Sequence, residues 1–217
     1  MNSFKALKKE ELKQMSDNKE TKSIKKGEAI FREGERLNGV FCVREGVSKL
    51  SKMSDNGRDQ IVKLASKGEV LGQRSVIASE TTNLSAIALE DMEVCFIPKI
   101  HIEESLEKNP VFTNAVLKHM SKELKFADDF IVNMAQKSVR QRLAEVLLYL
   151  HDHFGEEEEG FLYLQLSRAD IASVVGTATE LLIRTLTKFK KEGVISTSGK
   201  KIKLIDKKAL FRIAEGL

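Results

Sequence analysis

Six apolar residues, Leu117, Met120, Leu124, Ala127, Ile131 and Met134, succeed one another at steps of 3, 4, 3, 4 and 3. Only an α-helix keeps such a spacing on one side, and it confines the apolar side chains to a stripe two positions in seven wide. At 1.5 Å per residue the stripe runs for about 26 Å. Lys118, Glu123, Lys125, Asp128 and Asp129 flank it and belong in water. A helix that packs on its own domain usually shows a broader apolar face, so the stripe predicts helix–helix dimerisation rather than burial on the rest of the chain.

Either side of this seam the chain has a different texture. Residues 4–16 read as a helix through Phe4, Leu7, Leu12 and Met15. Short apolar runs follow at 29–31, 39–43, 47–50, 60–64, 84–89 and 93–97, with Gly27, Gly34, Gly46, Gly57, Gly68 and Gly72 at the turns between them. Many short strands at this spacing, with turn signals such as Asp55-Asn56-Gly57, predict a small β-roll of the jelly-roll kind. Beyond the seam, Leu143, Val146, Leu147 and Leu150 mark a helix over 139–153, followed by the acidic run Glu156 to Glu159 and a strand-like alternation over 161–166.

The C-terminal segment carries the most specific pattern. Ser167-Arg168-Ala169-Asp170 reads as a capping box opening a helix that runs through Val175, and Gly176 breaks it. Thr177-Ala178-Thr179-Glu180 reads as a second cap, opening a helix to about Glu192. Residues 194–197 and 201–205 flank Ser198-Gly199-Lys200 as a hairpin, and a last helix starts after Asp206. Two helices joined by a glycine turn and followed by a hairpin make a winged helix-turn-helix. The expected fold is therefore α+β: a β-roll over 1–109, a dimerisation helix over 110–137 and a winged helix-turn-helix over 138–217.

Charge agrees with that division. From Ser167 to Leu217 there are 11 Lys and Arg against 5 Asp and Glu, a net of +6, which leaves −2 of the overall +4 for residues 1–166. A basic module on a slightly acidic carrier is the footprint of nucleic-acid binding. Within the second helix, Leu182, Leu186 and Phe189 define a core face and leave Thr179, Glu180, Ile183, Arg184 and Thr187 outward. Arg184 can fork onto O6 and N7 of a guanine, and Glu180 can accept from N4 of a cytosine. Lys188, Lys200 and Lys201 would serve phosphates. The competing reading makes Glu180 part of the cap and pairs it with Arg184 as a surface salt bridge.

Composition excludes other classes. No charge-free stretch exceeds nine residues, where a spanning helix needs about 20 apolar ones, and the first 15 residues lack the apolar core of a signal peptide. A cytoplasmic location without membrane contact is expected. The two cysteines, Cys42 and Cys95, are expected as isolated buried hydrophobes, which rules out a disulfide framework, a four-cysteine zinc site and an iron–sulfur cluster. Of the four histidines, His151 and His153 stand two apart on a predicted helix and form no metal pair, so no metal site is expected. Residues 20–98 contain no histidine for metal chemistry in a cupin-like roll, and no catalytic triad is evident, so enzymatic function is not expected.

At this point the chain resembles the CRP/FNR family of bacterial transcription regulators over nearly its whole length. The motifs are Lys26-Gly27-Glu28, Arg32-Glu33-Gly34-Glu35, Phe41-Cys42-Val43-Arg44-Glu45-Gly46 and Gly68-Glu69-Val70-Leu71-Gly72-Gln73, then Leu166-Ser167-Arg168-Ala169-Asp170-Ile171-Ala172 and Gly176-x-x-x-Glu180-x-x-x-Arg184. The resemblance implies an effector-sensing roll and a homodimer that reads a palindromic double-stranded site with a TGA core, through Glu180 and Arg184. It also implies RNA polymerase as a partner near the acidic run, which the residues themselves suggest is a solvated loop.

The implied effector pocket is Gly72, Gln73, Arg74, Ser75, Asn83, Leu84 and Ser85. Cyclic-nucleotide-binding members use Gly-Glu for the ribose and Arg-Ser for the phosphate, whereas this chain has Gly72-Gln73 and Leu84-Ser85. A buried phosphate without its arginine is uncompensated, so cyclic AMP is not the expected effector, whose identity stays open. The cysteine cluster of oxygen-sensing members is also missing. A ligand-binding roll that has lost DNA readout is the alternative function.

Overall fold

Among the described residues, the glycine-punctuated half of the chain forms eight strands: β1 (Glu20–Ile24), β2 (Ala29–Phe31), β3 (Gly39–Glu45), β4 (Ser48–Met53), β5 (Asp59–Ala65), β6 (Val70–Leu71), β7 (Ser85–Ala88) and β8 (Met92–Pro98). This computed structural model describes Leu7 and residues 20–54, 57 and 59–217, so the expected helix over 4–16 and the turn residues Asp55 and Asn56 lie outside the described residues, Leu7 apart. The strands pair antiparallel in two sheets, ordered β1-β8-β3-β6 and β2-β7-β4-β5. Phe41, Val43 and Val94 from the first sheet meet Phe31, Leu50, Ala65 and Ala86 from the second in one core, with the Phe31 and Phe41 ring centroids 6.0 Å apart. This is the expected roll.

β3 is buried on both faces, which explains its unbroken apolar run. Phe41 and Val43 point into the roll, while Val40 and Cys42 face a second core. That second core is closed by α1 (Gln73–Ala78), α2 (Lys99–Lys108) and α3 (Pro110–Gln136), through Val76, Ile102, Phe112 and Val116. Buried Asn109 separates α2 from α3. Its Oδ1 accepts from the backbone N–H of Val111 (3.1 Å) and Phe112 (3.0 Å), and Pro110 fills the first helical position, where no N–H is needed.

Two further features of the roll depart from expectation or extend it. Cys42 and Cys95 are not isolated: they are direct partners across β3 and β8, both free. Burial, with Cys95 as a lesser influence, pushes the Cys42 thiol up to about 12, so it stays protonated. On the helical side, Lys63 binds Glu69 (3.0 Å) and Glu123 of α3 (2.6 Å).

Residues Met1–Phe126 and Ala127–Leu217 form two separate units, with α3 running through the boundary. The second contains α4 (Val139–Phe154), α5 (Arg168–Val175), α6 (Thr179–Lys191), the hairpin β9 (Ile195–Ser198) and β10 (Lys201–Leu204), and α7 (Lys207–Glu215). Ser138 caps α4 in a reciprocal box with Gln141. Leu143, Leu147 and Leu150 of α4 are fully buried, and α4 packs on α7 and α5.

The alternation over 161–166 does not make a strand. Leu162, Leu164 and Leu166 are buried as the pattern demands, yet only isolated bridges form, Phe161 to Lys203 and Glu156 to Leu162. The wing hairpin presents one residue to this segment rather than a full edge, so the apolar alternation is satisfied by packing without a ladder.

Candidate nucleic-acid interface

Ser167 starts α5, its side chain accepting from the Asp170 N–H at 3.0 Å and donating to the Asp170 carboxylate. Gly176 ends it at φ +69°, a left-handed conformation that turns the chain directly into the next helix and disfavours any residue with a Cβ. The expected second capping box does not form. α6 begins one residue late, with Ala178 at the cap position and no side-chain bond to the first turn. Thr177 instead donates its backbone N–H to Ala172, completing the glycine turn rather than capping α6.

α6 has the amphipathic division the sequence predicts. Leu182, Leu186 and Phe189 are buried. Glu180, Ile183, Arg184, Thr187 and Lys188 are exposed, and Thr179 is half-buried. Glu180 and Arg184 do not pair with each other, and neither has a partner among the described residues, so the surface-salt-bridge reading is not what the chain adopts. The Thr187 hydroxyl donates to the Ile183 carbonyl (2.8 Å) and keeps only acceptor capacity for a ligand.

The wing is held by residues that the linear sequence did not single out. Arg168, at the start of α5, donates to the carbonyls of Gly199 (2.9 Å) and Lys200 (3.3 Å), fixing the wing turn beside the helix-turn-helix. Lys200 is exposed at that turn. Lys201 is engaged: its ammonium binds Glu157 at 2.7 Å and lies 5.6 Å from the Phe161 ring centroid. Its hydrogen bond holds the Glu157 carboxyl below the usual range, with a second bond from Gln165 adding to the effect.

The acidic run is therefore not a merely solvated loop. Glu156 binds Lys207 (3.2 Å) and His151 (3.3 Å), and the Glu159 carbonyl accepts from Lys203 (2.8 Å). Opposite-charge lysines on β10 and α7, more than forty residues away in sequence, organise it. No linear signal marks those pairings.

The seam residues lie as follows. Leu117, Leu124 and Ile131 are exposed at 61%, 65% and 65%. Ala127 is exposed, and Met134 is half-buried. Met120 is half-buried and packs against the core around Val116, so it also serves the roll. Every residue from 121 to 129 is exposed, more than two helical turns with no face covered.

In the roll, the expected effector residues do not gather around one opening. Gly72 starts α1 at φ +79°, and a Cβ there would meet the Leu37 side chain at 2.5 Å. Gln73 is buried at 7% exposure with Oε1 lacking a hydrogen-bond partner, and Ser75 is buried beside it on the same short helix. Arg74 points outward and binds the Asn83 side chain, not Glu69 or Glu80. Leu84 packs on the roll core, and Ser85 Oγ accepts from the Glu33 N–H at 3.0 Å. Of the set only Asn83 lines the shallow depression formed with Glu33, Gly34, Arg36 and residues 79–82. These residues fit a cyclic phosphate poorly: Arg74 is engaged by Asn83 at the surface, Ser85 alone keeps an O–H to donate, and the remaining groups are an amide and an alkyl chain.

Among the described residues no group of three His, Cys, Asp or Glu side chains is placed to hold a metal, and no helix is long and apolar enough to cross a membrane. His153 stacks on Tyr149 at 5.0 Å, on a different side of α4 from the His151 cluster.

Comparison with known proteins bears on each half. A family model described as a cyclic nucleotide-binding domain matches residues 21–109, and one described as a Crp-like helix-turn-helix domain matches residues 141–213. The chain is similar to the transcriptional activator protein anr of Pseudomonas aeruginosa, 32% identical over 202 residues, covering 91% of this chain and 82% of that one. Electron transport regulator A of Shewanella oneidensis is 32% identical over 209 residues, covering 94% and 82%. The crystal structure of a CRP/FNR-family transcriptional regulator from Thermus thermophilus superposes with a TM-score of 0.77 at 26% identity, covering 90% of this chain and 98% of that one. Identity at this level across nine-tenths of the length, in the same order of roll, long helix and winged module, means that the chain belongs to the CRP/FNR family of transcription regulators.

Proposed function

We propose that two copies join along the seam of α3 and read a palindromic DNA operator with one α6 in each major groove, as a sequence-specific transcription regulator. The observation that carries this is the open reading face of α6. Glu180 and Arg184 are exposed and unpaired one turn apart, over a core side formed by Leu182, Leu186 and Phe189. An arginine without an intramolecular partner breaks no protein hydrogen bond on forking to a guanine, and each such contact is worth roughly 1–3 kcal/mol of discrimination.

Thr179, Ile183 and Thr187 complete the reading surface, and Lys188, Lys200 and Lys201 serve phosphates, Lys201 only when its bond to Glu157 opens. Residues 1–109 form the sensing part, 110–137 the dimer helix and 138–217 the DNA-binding part. The effector is a ligand other than cyclic AMP, the protein is cytoplasmic and not an enzyme, and RNA polymerase is a further partner, supported by relatives described as transcriptional activators.

Mobility shifts with duplexes selected from a random pool by the protein test the reading. Arg184→Ala should cost about 1–3 kcal/mol per half-site on the selected duplex, and Lys200→Ala should weaken all sequences evenly and lower the salt slope by about one. An Arg184→Ala protein that lost the same factor on selected and random DNA would refute base reading.

A further inference from the structure

The end of α3 and the turn between α5 and α6 meet at one side chain. Arg142, half-buried near the start of α4, donates through Nε to the Val175 carbonyl (2.8 Å) and through Nη2 to the Gly176 carbonyl (3.3 Å). Its Nη1 donates to the carbonyls of Lys137 (2.5 Å) and Met134 (3.4 Å). The last carbonyls of a helix lack intrahelical partners and carry the negative end of its dipole. Here two helix ends, those of α3 and α5, converge on one planar cation with five donors. A lysine could not replace it, because an ammonium is a point charge without the fork.

Only Lys137 and Ser138 separate α3 from α4, and the chain bends at Lys137. The Ser138 box, the Lys137 to Glu145 ion pair and the Arg142 fork all act on this link, and of these three Arg142 alone also reaches the helix-turn-helix. Arg140 ties α4 to the end of α6 through Glu192 (2.9 and 2.7 Å), whereas Arg142 bonds carbonyls at the ends of both α3 and α5. Ile171, Val175, Leu182 and Leu186 of α5 and α6 are buried, so this pair of helices also has an apolar core of its own.

We infer that Arg142 is a positioning residue that locks the recognition module to the last turn of the dimer helix and thereby sets the spacing of the two DNA half-sites the protein accepts. This deepens the reading proposed above and rests on it. Each base pair inserted between half-sites moves one of them by about 3.4 Å and about 35°. A stiff joint cannot follow that movement, and a loosened one can.

The test uses a duplex selected by the wild-type protein, the same duplex with two base pairs added or removed between its halves, and a duplex carrying one half only. Wild type should lose about tenfold or more on respacing, because the second contact no longer gains from the first. Arg142→Gln should bind the parent duplex about tenfold more weakly, bind the respaced ones almost equally, and keep half-site affinity within about twofold. Its dimer, measured by sedimentation, should be unchanged. Arg142→Lys should behave as Arg142→Gln.

Wild-type spacing discrimination in Arg142→Gln would overturn the inference. So would parallel loss of half-site binding, which would mark a residue needed only for folding, or full rescue by lysine, which would reduce the fork to a charge. Failure of the wild type to select any duplex would instead sink the DNA-reading proposal, and this inference with it.

Discussion

Replacing Ile131 with Glu tests the dimer seam most directly. Leu117, Leu124 and Ile131 are each about two-thirds exposed on a helix whose middle has no covered face. Full burial of a leucine or isoleucine side chain is worth about 1.5–3 kcal/mol, so covering the open two-thirds contributes about 1–2 kcal/mol each. Six such side chains from two helices supply about 6–12 kcal/mol, comparable with the roughly 4–15 kcal/mol that association costs. Met120, already half-buried against the roll, adds less than its position suggests.

With so narrow a margin, one seam residue has a large effect. Ile131→Glu removes about 2–4 kcal/mol over the two copies, which raises the dimer dissociation constant by about 30- to 1,000-fold before any repulsion between the facing carboxylates. Sedimentation equilibrium should show wild type at twice the 24.4 kDa chain mass and the variant near the chain mass at about micromolar concentration. Val132→Glu is the control, since Val132 is 50% exposed and one position off the seam. Operator binding should fall with the dimer. Equal dissociation constants for Ile131→Glu and Val132→Glu, or a wild-type monomer, would refute the seam.

Calorimetry with cyclic AMP or cyclic GMP should show no specific heat for the wild type or for Arg74→Ala; a micromolar dissociation constant lost in Arg74→Ala would mean that Arg74 turns inward to serve a phosphate. Burial holds the His119 imidazole below its ordinary value of 6.5, with nearby Glu123 and Glu69 opposing and Lys63 reinforcing the shift. Below about pH 6.5 the unfolded chain therefore binds the extra proton first, so stability is full above that pH and declines as pH falls through the window beneath it. Thermal melts should show this acid loss reduced in His119→Gln, and identical pH slopes for the two proteins would exclude it.

What is periodic or local in this protein is legible in its sequence. The steps of 3 and 4 along Leu117 to Met134 demand a helix with one uncovered stripe. Alternating and glycine-bounded runs demand short strands, and Ser167, Gly176 and Asp206 mark helix boundaries through backbone chemistry confined to a few residues. The outward face of α6 follows from its 3.6-residue period once Leu182, Leu186 and Phe189 are buried.

Contacts between distant residues carried no such signal. Arg142 reaches carbonyls at 175 and 176, Arg168 holds the turn at 199 and 200, Glu157 engages Lys201, and Cys42 meets Cys95 across a strand pair. The strand at 161–166 failed for that reason, since it needed a partner edge whose position depends on packing, whereas the second cap failed locally, because Thr177 completes the Gly176 turn and α6 starts one residue later. A side chain's own type fixes what it can bind, but which of several charged or polar groups it meets is decided only when the whole chain has closed around its cores.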